Sequence, residues 1–122
     1  MRVKEIKKVF EKARDNCGNI QAFTKYRNNS ITFIYRFKWS KGDFFYWDTS
    51  NDFVRDTPLF VEDILKELEK ANPESYFDFY ADAWDFDLEK TYPTITEISF
   101  DNQDKIFHIK ADTVEYEHDH LR

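Results

Sequence analysis

A single cysteine, Cys17, leaves the 122 residues without an intramolecular disulfide or a multi-cysteine zinc site. Only two glycines occur, Gly18 and Gly42, and they stand alone. Phosphate-cradling loops need clustered glycines so that backbone N–H groups can approach the phosphate, so neither a P-loop nor a dinucleotide fingerprint is present. No cofactor is expected. No apolar run approaches the roughly 20 residues needed to cross a bilayer. Met1 to Asp15 alternates charges with isolated apolar residues and lacks the apolar stretch of a signal peptide. These absences lead to the expectation of a cytoplasmic protein without a membrane partner. Nucleophile chemistry also lacks its usual signatures. No G-x-S-x-G occurs, and Cys17 falls at the C-terminal end of a predicted helix, where the dipole disfavours a thiolate. The only E-x-K, Glu5-Ile6-Lys7, has helical periodicity and not the strand setting of a nuclease motif.

Aromatic residues, by contrast, are abundant: 13 Phe, 7 Tyr and 3 Trp, 19% of the chain. Charged residues at 34% would by themselves suggest disorder, but disordered chains are poor in aromatics, so this chain is expected to fold as one domain over residues 1–122. Its formal net charge of −6 conceals a split. Residues 1–42 hold eleven Lys or Arg against three acids, while residues 43–122 hold seven against twenty-one. That division suits either electrostatic steering of a partner or mutual neutralisation of two halves that fold together.

Val3, Ile6, Val9, Phe10 and Ala13 recur at helical spacing and Gly18 follows as a C-cap, which predicts a helix over about 3–16. From Ile20 the period becomes two. Strands are predicted over Ile20–Tyr26, Ile31–Trp39 and Phe44–Asp48, with Ile31, Phe33, Tyr35, Phe37 and Trp39 on one apolar face and Thr32, Ile34, Arg36 and Lys38 on the other. Thr49–Asp56 reads as polar loop. Thr57 as N-cap and Pro58 at the first helical position start a second helix carrying Phe60, Val61, Ile64, Leu65, Leu68 and Ala71. Tyr76–Leu88 follows as strand with a phase slip near Asp82 or Ala83 that signals a bulge. Thr94–Phe100 and Lys105–Ala111 form a hairpin around Asp101–Asp104, and the residues after about 113 are expected to fray. The order α-β-β-β-α-β-β-β predicts an α+β fold, with an antiparallel sheet of five to six strands and both helices on one face.

Three constellations bear on function. The first is the acidic-aromatic segment, in which Asp78, Asp82, Asp85, Asp87 and Glu89 alternate with Tyr80 and Trp84. Carboxylates on one strand face recur every ~6.6 Å, a row of negative charge that a basic, nucleic-acid-binding surface accepts, and aromatics add contact area. The second is a C-terminal cluster of Glu115, Glu117, His118, Asp119 and His120, in which His118, His120 and Glu117 supply an alternative metal site that His108 could approach. The third is a basic platform of Lys25, Arg27, Arg36, Lys38 and Lys41 beside Tyr26, Tyr35 and Trp39. The acidic remainder of the chain would repel a polyanion, so no direct nucleic-acid partner is expected.

The leading helix, the aromatic meander Ile31–Trp39 and Phe44–Asp48, the middle helix and the late TITEISF and KIFHIKA hairpin together resemble the small α+β immunity proteins of bacterial polymorphic-toxin systems. The resemblance spans most of the chain as layout and carries over no residue role. Tyr76–Leu88 departs from it. It implies a non-catalytic inhibitor that binds a basic partner protein, such as a nuclease-type toxin. Phage-encoded inhibitors of host defence nucleases, which act as nucleic-acid mimics, share the same gross properties. A small metal-assisted hydrolase using the C-terminal histidines is the enzymatic alternative.

Overall fold

In a computed structural model, residues 1–25, 31–39, 45–75, 77–80 and 91–115 are described. The elements in chain order are α1 (Val3–Cys17), β1 (Phe23–Lys25), β2 (Ile31–Trp39), β3 (Phe45–Ser50), α2 (Val61–Glu69), β4 (Phe77–Tyr80), β5 (Thr91–Asp101) and β6 (Ile106–Glu115). The fold is α+β, as expected, but the sheet is mixed rather than antiparallel. β1 pairs in parallel with β6, and β3 with β4. The four remaining pairings are antiparallel, and the ring β1-β2-β3-β4-β5-β6 closes on itself.

Helix α1 forms where its apolar positions recur. Val3, Ile6, Phe10 and Ala13 are buried while Lys4, Lys8 and Lys12 face solvent. Its first N–H groups are satisfied from outside the helix: Val3 N–H donates to the Ser75 carbonyl (2.8 Å) and Lys4 N–H to that of Pro73 (3.0 Å). Gly18, with φ 79°, ends it in a left-handed conformation that a Cβ would strain. Phe10 stacks on Phe107 of β6 at 4.4 Å and meets Trp47 of β3 edge-on at 6.0 Å. Those strands are three apart in the ring, so one helical side chain ties together opposite sides of the sheet. Ile34, Ile64, Leu68, Ile95 and Ile98 complete this core.

Helix α2 begins at Val61, not at Thr57–Pro58. The reason is tertiary. Ala22 N–H donates to the Leu59 carbonyl (2.8 Å), Leu59 N–H to Ile34 (2.9 Å) and Val61 N–H to Ile20 (2.8 Å), which holds the chain extended up to Phe60. The Asn19 side chain then accepts from Glu62 N–H at 2.9 Å, capping the helix from a distant loop.

The face assignment on β2 is corrected by a bulge. Register shifts between Ile34 and Arg36, so Tyr35 is the extra residue. Ile34 and, after the bulge, Phe37 join the core, with Phe37 5.9 Å from Trp47. Phe33 is buried on the other face, between Phe23 and Phe53. A second shift lies between Ile95 and Glu97 on β5. The slip expected near Asp82 or Ala83 falls outside the described residues. The hairpin of β5 and β6 forms around its expected turn, but β6 continues to Glu115.

Candidate functional site

Strand polarity gathers the features of interest at one rim. β1, β3, β4 and β6 run in one direction and β2 and β5 in the other. The ends of β3 at Ser50, β4 at Tyr80 and β6 at Glu115 therefore share a rim with the starts of β2 at Ile31 and β5 at Thr91. The loop after β3, the connection 81–90 and the chain after Glu115 all leave from it. The opposite end carries the 102–105 turn and the connection from α2 to β4. To these α1 is bound through Asn16 on Asn102 (3.2 Å) and through its own N-terminal N–H groups.

Of the predicted acidic-aromatic residues, Asp78 and Tyr80 lie on β4, in register with Tyr46 and Asp48 of β3. Asp82, Trp84, Asp85, Asp87 and Glu89 lie outside the described residues, within the segment that joins β4 to its antiparallel neighbour β5. Glu117, His118, Asp119 and His120 also lie outside them. His108 is seven residues before Glu115 on β6, roughly 23 Å along an extended strand and toward the opposite end. The described residues hold no cluster of three or more metal-ligating side chains.

The sequence predicts polar loop over Thr49–Asp56, but Thr49 and Ser50 complete β3. Residues 51–56 fold into a closed turn. Asp52 Oδ1 accepts from Val54 N–H (3.0 Å) and Arg55 N–H (3.1 Å), and Asp56 N–H donates to the Asp52 carbonyl (2.9 Å). The Ser50 hydroxyl accepts from Asp52 N–H (3.0 Å) and donates to the Asp56 carboxylate (2.6 Å), locking the turn at its base. Two large apolar side chains are thereby held outward, Phe53 at 64% exposure and Val54 at 98%. Phe53 is not adrift: its ring lies 4.7 Å from that of Phe33 and 6.1 Å from that of Phe23. Half-exposed Ile31 lies two residues from Phe33 along β2. The available signal was Asp-Phe-Val-Arg-Asp, two large apolar residues in a loop otherwise made of turn formers.

Charge beside this knob is sorted by depth. Arg36 Nε donates to Asp48 Oδ2; Arg36 is half exposed (52%) and Asp48 is buried (5%). Arg55 donates to Asp56 from Nε and from its terminal nitrogen, both at 3.3 Å, with the arginine 72% exposed and the acid 12%. The bulge brings Tyr35 beside Arg36, whose guanidinium carbon is 5.2 Å from the ring centroid. The hydrogen bond from Ser50 holds the Asp56 carboxyl below its ordinary value, reinforced by Arg55. Hydrogen bonds to Asp48 and Asp56 hold Arg36 and Arg55 above theirs. Burial, then the charge of Asp48, raises the Tyr35 hydroxyl. Each shift strengthens the form already present near neutral pH.

The basic and acidic stretches also meet elsewhere. Lys4 pairs with Glu74 at 2.9 Å and Arg2 with the same carboxylate at 3.8 Å, so part of the charge split is neutralised within the fold. No helix is long and apolar enough to cross a membrane among the described residues. No family model, no curated protein and no solved structure matches the chain.

Proposed function

We propose that this chain is a non-catalytic inhibitor of immunity type, which neutralises a partner protein bearing a basic, nuclease-like surface through its acidic-aromatic segment. The observation that carries the reading is strand polarity. β3 and β4 are parallel neighbours, so β4 ends at Tyr80, where the acid-rich sequence 81–90 begins, on the same rim as the end of β3 at Ser50, from which the turn that holds Phe53 and Val54 outward begins. An acidic stretch next to exposed apolar side chains combines long-range attraction with short-range adhesion. The first sets the association rate and the second the lifetime of the complex. Residues 43–89 hold fourteen acids against three bases, the charge that such attraction requires.

The test is affinity capture from source-cell lysate with identification of the partner, followed by binding kinetics across ionic strength. A basic protein should be captured, its association should slow steeply as salt rises, and Asp85→Lys with Asp87→Lys should weaken capture strongly. Salt-insensitive association, or full binding by the doubly reversed variant, refutes the reading.

A further inference from the structure

We infer that Phe53 and Val54 form an apolar anchor that inserts into an apolar pocket of a partner protein, and that this pocket is ringed by carboxylates. The inference rests on the reading that the rim faces a partner, but its chemistry is opposite to that of the acidic connection, so the two can fail separately.

Three observations carry it. The anchor is preorganised: hydrogen bonds among Ser50, Asp52, Val54, Arg55 and Asp56 hold the turn, so Val54 stays almost wholly in water at its apex. A side chain already fixed in its bound position loses little entropy on docking. The anchor is also braced, because Phe53 rests on Phe33 and Phe23. Finally, in the two ion pairs beside the anchor the guanidinium is the outer member and the carboxylate the inner one. The guanidiniums of Arg36 and Arg55 are at 52% and 72% exposure while their carboxylate partners are at 5% and 12%. An apolar knob flanked by outward guanidiniums is complemented by an apolar cavity with acids on its lip, and a basic lip would be repelled.

The full chain, immobilised, is offered a phage-displayed library of random twelve-residue peptides. Enriched sequences are expected to carry a large apolar residue flanked by Asp or Glu. A synthetic copy of the best is then titrated against variants. Val54→Ser should weaken it roughly thirtyfold, the scale of a hot-spot side chain. Arg55→Glu should weaken it comparably, and Asp85→Lys with Asp87→Lys should not weaken it. Because Val54 packs against almost nothing, its replacement leaves the fold intact and misfolding cannot mimic the result. Absence of enrichment, enrichment of basic peptides, or a peptide that binds Val54→Ser like the parent overturns the anchor. Dimerisation that Val54→Ser abolishes also overturns it, since the occupant would then be a second copy. If the anchor fails while reversal at Asp85 and Asp87 still abolishes lysate capture, the acidic reading stands alone.

Discussion

Replacing Phe10 with alanine tests whether α1 really joins opposite sides of the strand ring. Phe10 is fully buried, stacks on Phe107 and meets Trp47 edge-on. Truncating a buried Phe costs about 3–5 kcal/mol, from lost transfer energy and the cavity left behind. Each of the two ring contacts contributes ~0.5–1.5 kcal/mol of that. Against the ~5–15 kcal/mol that holds a typical domain together, the variant should sit at the margin of folding. Urea denaturation followed by tryptophan fluorescence measures the change directly, and Trp47 lies beside the lesion. Phe53→Ala is the matched control. With 64% of Phe53 already exposed, about 70 Å² of its surface is buried, which at ~25 cal/mol per Å² limits its cost to about 1–2 kcal/mol. Phe10→Leu should fall between the two, keeping apolar volume while losing both ring pairs. If Phe10→Ala costs no more than Phe53→Ala, α1 does not join the two sides of the barrel and the core described above is wrong.

Two further outcomes follow from local chemistry. Lys105 closes the turn between β5 and β6 with φ 58°, and its N–H donates to the Asp101 carbonyl at 2.7 Å. A left-handed non-glycine residue costs ~1–2 kcal/mol, part of which glycine returns through the entropy of its unfolded chain, so Lys105→Gly should stabilise by about 0.5–1 kcal/mol in the same denaturation assay. A loss of stability would show that the Lys105 side chain contributes more than its backbone strain. The second outcome concerns acid. Asp101 is held below its ordinary value by N–H donation from Asp104 and Gln103, Asp56 by the Ser50 hydroxyl, and Glu74 by Lys4. Lowered folded-state values mean that this stabilisation is complete above the ordinary carboxylate range, which begins near 3.8 to 4.5, and is lost as pH falls through it. Denaturation midpoints should hold steady from neutral pH down to about 5 and fall below that. Asp101→Asn should flatten the acid limb, and an unchanged limb in that variant would remove Asp101 from the account.

Several elements were legible because the cause of each is local. The spacing of Val3, Ile6, Phe10 and Ala13 names the buried face of α1 without reference to anything else, and Gly18 names its end. Asp101–Asp104 announces the last hairpin because an Asx turn is made within four residues. Failures arose where the deciding partner is remote in sequence. Thr57–Pro58 has good helix-start chemistry, yet hydrogen bonds from Ala22 and to Ile34 and Ile20 hold the chain extended through Leu59 and Phe60, so the helix starts only at Val61. Strict alternation along Ile31–Trp39 put Phe33 in the core and Ile34 outside it, because a bulge at Tyr35 leaves no mark in a run of apolar and aromatic residues.

The candidate site divides in the same way. Composition and order alone determined the α+β class, the charge split and the acid-rich stretch after β4, since these depend on residue type and short-range period. Only the tertiary structure decided that the sheet is mixed and closed. Strand direction in turn sends the loop after β3, the connection after β4 and the end of β6 to one rim. The physical reason is that pairing partners are chosen by packing over the whole chain. β1 meets β6 some eighty residues away, and no window of sequence contains both. The outward hold on Phe53 and Val54 is likewise a matter of hydrogen bonds at their feet, which make an exposed apolar feature, among the described residues, out of a stretch whose composition predicts polar loop.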